Sequence, residues 1–252
     1  MPARPDAGAS RRRAFAGRGF WLGIVFAVLA GAVARAQTPV DLELILAVDA
    51  SGSVDPREYA LQMSGIAAAF RDDEVIAAIQ SGPLARIGVA VVIWSESRRP
   101  KDLIPWQVVS DRASAATFAH TVETHPRNIP DGGTGIGRAV LYAISQFDRN
   151  ALTSERQVID VSGDGRETTF REFSVPPAQA RSRAISRGIT VNGLAILTDD
   201  SELTEYYRRE VVGGTDAFAM SAASYDDFAV AMRRKLIREI DYRPIISRLS
   251  PQ

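Results

Sequence analysis

Short apolar runs rich in β-branched residues recur between positions 40 and 240, separated by segments whose apolar residues repeat every three or four positions. The first run holds Leu42, Leu44, Ile45, Leu46 and Val48, and others lie at 86–94, 103–109, 158–161, 189–197 and 217–220. Near-continuous apolar composition suits strands covered on both faces, as in a parallel sheet. Helical spacing places Tyr59, Met63, Ile66 and Phe70 on one face of 56–70, with Pro56 at the first helical position. Further helices are predicted at 114–122, from Ala139 to Phe147, at 177–187, at 201–211, and at 225–240 through Phe228, Met232, Leu236 and Ile240. The alternation predicts an α/β domain without internal repeats. Residues 242–252 show no periodicity and read as a tail.

The strand ends are where the chemistry concentrates. The first strand runs into Val48-Asp49-Ala50-Ser51-Gly52-Ser53-Val54, which sets one carboxylate and two hydroxyls at alternate positions. Asp49, Ser51 and Ser53 can share one hard cation, with Gly52 expected to permit a sharp turn beneath it. The bland alternative is an Asx/Ser turn capping the helix from Asp55-Pro56. A second carboxylate, Asp164, follows the strand through Val158, Ile159 and Val161, within Ser162-Gly163-Asp164-Gly165. Between these lies Pro130-Asp131-Gly132-Gly133-Thr134-Gly135-Ile136-Gly137, a glycine-rich loop offering the Thr134 hydroxyl ahead of a helix.

Taken together, Asp49-x-Ser51-x-Ser53, Gly-Gly-Thr134 and Gly163-Asp164-Gly165 resemble, in chain order, the metal-ion-dependent adhesion site of von Willebrand factor type A domains. All five ligand positions are filled. The likeness extends over about residues 40–240, and the stand-alone domain behind a leader is similar to an uncharacterised group of exported bacterial proteins. The resemblance implies an open, doubly wound, mostly parallel six-stranded sheet of order 3-2-1-4-5-6 with helices on both faces. It also implies a metal site of Asp49, Ser51, Ser53, Thr134 and Asp164 at the switch point of that sheet, where ligands of open α/β sheets bind. Asp49 is expected at the solvent edge, facing the like-charged Asp164. Oxygen donors suit Mg²⁺, Mn²⁺ or Ca²⁺, and the absence of His and Cys among them argues against zinc. In the family the aspartates act through water, leaving the ion short of a ligand that an Asp or Glu of a protein partner completes.

Charge and composition narrow the setting. The chain has 30 basic and 30 acidic residues and no cysteine. Thiolate metal sites and disulfides are therefore closed, while an oxidising compartment stays permitted. Arg11, Arg12, Arg13 and Arg18 precede an apolar stretch from Phe20 to Val33, and Ala34-Arg35-Ala36 gives the small-x-small pattern of a cleavage point before Gln37. The apolar run is shorter than the roughly 20 residues of a spanning helix. Residues 1–36 thus read as a signal peptide, 37–241 as the domain, and the location as periplasmic or extracellular. Arg12-Arg13-Ala14-Phe15 also weakly resembles a twin-arginine signal. The leader carries six Arg and one Asp, so the remainder is mildly acidic, with no basic face for nucleic acid and no polybasic membrane patch.

An enzyme is the competing class, because two aspartates around magnesium also serve phosphoryl transfer. A phosphoesterase-type nucleophile loop would carry a second Asp where Ser51 stands. No Gly-x-Ser-x-Gly elbow occurs, and 132–137 lacks the Lys-Ser/Thr ending of a P-loop. His120 and His125 are expected on a solvated surface and Trp94 in the core. Arg166, Glu167 and Thr168, with Thr198, Asp199 and Asp200, are expected on the rim of the site, where Asp200-Ser201 can cap the following helix. The reading is a binding module, not an enzyme.

Overall fold

The computed structural model describes residues 37–96, 98, 101–168 and 174–241. The expected leader and the tail at 242–252 lie outside them. In chain order the elements are β1 (Glu43–Asp49), α1 (Pro56–Arg71), α2 (Asp73–Gln80), β2 (Ile87–Trp94), β3 (Asp102–Val109), α3 (Arg112–Glu123), α4 (Ile136–Phe147) and β4 (Gln157–Gly163). They continue with α5 (Pro177–Ile185), β5 (Thr190–Ile196), α6 (Leu203–Tyr206), a π turn at Tyr207–Val211, β6 (Ala219–Ala222) and α7 (Phe228–Ile240). A two-residue parallel pair, Thr38–Pro39 with Leu152–Thr153, lies outside the main sheet.

The six strands are ordered β3-β2-β1-β4-β5-β6, the expected order, with β3 antiparallel at one edge and every other pairing parallel. Every residue of β1 and β2 is buried, as their unbroken apolar runs require. Alternate residues serve two cores. Leu44, Leu46 and Val48 meet α1, α2, α3 and α7, while Ile45 and Ala47 meet α4, α5 and α6. Each fully buried Leu or Ile contributes roughly 1.5–3 kcal/mol of transfer free energy. Because β1 pairs with β2 on one side and β4 on the other, the chain leaves β1 and β4 in opposite winding directions. The ends of these two strands therefore open a crevice at the carboxyl edge.

Local signals explain the helix starts. Asp55 accepts from the Glu58 N–H at 2.8 Å and its own N–H donates to Glu58 Oε2 at 2.9 Å, a capping box with Pro56 in the first turn. Asp72 ends α1 and caps α2 by accepting from the Glu74 N–H at 2.9 Å. This double use hides α2, which the apolar pattern did not predict. The predicted helix at 201–211 is a four-residue helix running into a π turn, and α7 begins at Phe228, three residues later than its spacing suggested. Among the described residues, no helix is long and apolar enough to cross a membrane.

Candidate metal centre

β1 delivers Asp49 to the carboxyl edge, in register with Trp94 of β2. Asp49 is fully buried, which corrects the expected place at the solvent edge: Gly163 and Tyr207 of the π turn crowd its Oδ2 side. Its Oδ1 accepts the Ser51 N–H at 2.8 Å, whereas its Oδ2 has no partner. Burial and then the Asp164 charge push its carboxyl up to about 8, against smaller opposing effects of Ser51 and Arg127. A buried carboxylate so destabilised is what a divalent cation would relieve.

From Asp49 the oxygens continue across the crevice. Ser51 Oγ lies 3.3 Å from Ser53 Oγ, and Ser53 Oγ donates to Asp164 Oδ1 at 2.8 Å. Ser51 and Asp164 are buried, and Ser53 is exposed. Thr134 is buried beside Asp164, its Oγ1 3.2 Å from where a Cβ on Gly165 would sit. Its backbone is committed elsewhere, since its N–H donates to Thr168 Oγ1 at 2.7 Å and its carbonyl accepts the Thr168 N–H at 3.0 Å. The hydroxyl does not cap α4: the capping position is Gly135, which makes no side-chain bond, and Glu167 Oε2 takes the Gly137 N–H at 3.0 Å. The fold thus brings all five predicted oxygen donors to one crevice. Two carboxylates and three hydroxyls fit a hard divalent cation, with the unpartnered Asp49 Oδ2 as the group most in need of one. Among the described residues, no three His, Cys, Asp or Glu side chains gather into a metal-holding group.

The surrounding shell was only partly legible. Gly52 does not adopt a left-handed conformation; it is small because its N–H donates to the Gly132 carbonyl at 2.7 Å and a Cβ would lie 3.2 Å from that oxygen. Arg127, not singled out by any motif, donates to the Ala50 and Ser51 carbonyls at 3.0 and 3.1 Å and to Asp131 at 2.9 Å, lacing the two loops together. Gln62 Nε2 on α1 holds the Asp49 carbonyl at 3.0 Å. Tyr207 is fully buried with an unpartnered hydroxyl, its pKa raised by burial, then by Asp49 and Asp164. The Tyr225 hydroxyl feels the Asp164 charge without an aligned hydrogen bond.

Other expectations divide. Trp94 is wholly buried, as predicted. His125 is not a solvated residue: its Nε2 sits 2.8 Å from Asp102 Oδ2, with the Asn128 amide 3.1 Å from the same oxygen, so it ties the loop before Pro126 to β3. His120 is exposed on α3. On the rim, Arg166 donates to Asp200 at 2.6 Å and stacks over Tyr206, while Asp200 also accepts the Glu202 N–H at 2.9 Å.

Residues 39–244 match the family described as "Protein of unknown function (DUF1194)", and the chain belongs to that family. No curated protein sequence matches it. Its fold is that of von Willebrand factor A domains. The pilus adhesin SpaC from Lactobacillus rhamnosus GG superposes with a TM-score of 0.57 at 13% identity, covering 80% of this chain and 31% of SpaC. Proximal thread matrix protein 1 (PTMP1) from the mussel byssus, in a form with a zinc occupied MIDAS motif, gives 0.55 at 16% identity, over 81% of this chain and 47% of PTMP1. The vWF domain of the type V pili tip protein Mfa5 from Porphyromonas gingivalis gives 0.53 at 10% identity, over 81% and 97%. The chain spans less than half the length of the SpaC and PTMP1 chains.

Proposed function

We propose that this member of the DUF1194 family is a divalent-cation-dependent protein-binding module of the cell envelope, in which Asp49, Ser51, Ser53, Thr134 and Asp164 hold the ion. The observation that carries the reading is the buried, unpartnered Oδ2 of Asp49 at the centre of a crevice lined by four more side-chain oxygens. Two carboxylates at most neutralise a divalent charge, and a bound ion supplies an open position for a carboxylate of the partner. Ser53, the exposed member of the set, stands where that partner would enter. The fold shared with a pilus adhesin and a pilus tip protein, and the zinc occupied MIDAS motif of PTMP1, support the reading. Export follows from the leader pattern of residues 1–36, with the mature chain beginning near Gln37.

The phosphoesterase alternative requires a nucleophile or general base beside the ion. Among the described residues, those that hold or adjoin the donors include Arg127, Gln62, Thr168, Tyr207 and Tyr225, and none of these five is an activated nucleophile. Melting with Mg²⁺, Mn²⁺, Ca²⁺ and Zn²⁺ against a chelator tests the site: at about 100 times Kd an ion adds roughly 2.7 kcal/mol. Capture of an envelope protein that chelator releases tests the partner. A melting curve indifferent to all four ions and to chelator removes the proposal, and metal-dependent hydrolysis of phosphate esters would favour the enzyme.

A further inference from the structure

One buried group at the crevice has no explanation in packing. Tyr207 is completely enclosed, yet its hydroxyl has no hydrogen-bond partner, and a phenylalanine would fill the same apolar space without that cost. Three features of the fold converge to put it there. Tyr207 opens a π turn, closed by the Val212 N–H donating to the Tyr207 carbonyl at 2.9 Å; such turns are rare and frequent at functional sites. On β5, Gly193 leaves the space in which the ring lies, since a Cβ there would fall 2.7 Å from Tyr207 Cδ1. At the end of β4, Gly163 does the same for the tip: a Cβ would lie 2.9 Å from Tyr207 Oη and 2.7 Å from Asp49 Oδ2. The phenol oxygen and the unpartnered carboxylate oxygen therefore crowd the same face of one glycine.

We propose that Tyr207 is a positioning residue of the metal centre, its hydroxyl donating to Oδ2 of ionised Asp49 while Ser51 N–H holds Oδ1. With both oxygens engaged, the carboxylate plane is set relative to the ion instead of being free to rotate. The inference rests on the ion-site reading above. A phenol keeps its proton at neutral pH and is the donor here, and a carboxylate, the form that binds a cation, accepts more strongly than a neutral carboxyl. Hydrogen-bond partners of metal ligands typically change affinity by 10–100-fold.

The experiment is Mn²⁺ binding to wild type and Tyr207→Phe, by electron paramagnetic resonance of free Mn²⁺, alongside apo melting and near-ultraviolet difference spectra on ion addition. The variant keeps the ring, so its apo melting temperature should not fall. Its Kd for Mn²⁺ should rise about tenfold, and the tyrosine red shift that accompanies ion binding in the wild type should disappear. A wild type that binds no Mn²⁺ removes the ion site itself. A wild type that binds, with Tyr207→Phe unchanged within about twofold, overturns the role of Tyr207 alone. So does a lowered apo melting temperature with unchanged affinity, which would assign the hydroxyl to packing.

Discussion

Replacing Asp49 with asparagine should stabilise the ion-free protein while abolishing its response to metal. The side chain keeps its shape, and the amide oxygen can still accept the Ser51 N–H that Oδ1 accepts at 2.8 Å. What is lost is ionisation in a wholly buried place beside Asp164, where the carboxyl is pushed from 3.8 up to about 8. At pH 7.5 the wild type must therefore take up a proton on folding, at a cost of about 5 kcal/mol at 1.36 kcal/mol per pH unit. Relaxation and water entry lower such costs, and about half, roughly 2 kcal/mol, is the gain expected of Asp49→Asn. In a domain of this size that is about 4–8 °C in Tm.

The sign of the pH dependence makes the prediction specific. A folded-state pKa above the unfolded one means that Asp49 opposes folding least below about 4 and increasingly as pH rises toward about 8. Melting in chelator from pH 4.5 to 8.5 should show the two proteins nearly matched at the acid end and Asp49→Asn ahead at the alkaline end. Adding Mg²⁺ or Mn²⁺ should raise the wild type and leave the variant unmoved. An Asp49→Asn protein less stable than wild type in chelator at pH 8 would refute the reasoning, because it would make the carboxylate a structural cap.

Four further outcomes follow from particular contacts. Thr134→Ala should leave apo Tm within about 2 °C, because the loop is held by the Thr134 backbone and α4 loses no cap, but should weaken Mn²⁺ binding in the same titration. Gly137→Ala should cost about 3 kcal/mol or more in urea unfolding, since its Cβ would lie 1.8 Å from the Val175 carbonyl oxygen at the entry to α5. Glu239→Gln, made in the Asp49→Asn background, should remove a fall in stability between about pH 4.5 and 7: burial, then Asp160, raises Glu239 to about 7, so the wild-type group favours folding at the acid side of that window. Amino-terminal sequencing of the exported protein should find Gln37 or a near neighbour, and an intact Met1 in membranes would show an anchor instead.

How much of this was legible depends on the range of the interaction. The buried strands declare themselves in unbroken apolar runs, and the five oxygen donors in short motifs, because strand and ligand spacing are both local. The strand order came only with the family likeness, since nothing in a run such as 158–161 names its neighbours. α2 was hidden because Asp72 closes one helix and opens the next within a single residue. Gly137 reads in the sequence only as the end of a glycine-rich loop, yet its smallness answers to Val175, 38 positions away. His125 looked solvated because its partner, Asp102, lies 23 positions earlier, at the start of β3. Tyr207 was the least legible of all, being a core-spaced aromatic whose hydroxyl has meaning only once β1, β4 and the π turn meet.

Buried polar atoms without hydrogen-bond partners occur both at the carboxyl edge and away from it, at Arg86 Nε, both Asp160 oxygens and Glu239 Oε2. At the amino end, buried Glu43 is served by Asn150 at 2.7 Å and Ser154 at 3.0 Å, so its charge is fully engaged by the protein itself. At the carboxyl end, Asp49 Oδ2, Tyr207 Oη, Tyr225 Oη, Trp94 Nε1 and Gln62 Oε1 are buried without partners. Each such atom costs on the order of 1–3 kcal/mol, and a protein built only for stability would replace several by apolar groups of the same shape. Their grouping around one ionisable carboxyl argues that the carboxyl edge is destabilised for a purpose the isolated chain does not fulfil. A divalent cation answers the need of Asp49 directly and that of Tyr207 through it. On this account the stability that Asp49→Asn gains in the absence of ion is the cost that a bound ion offsets in the wild type.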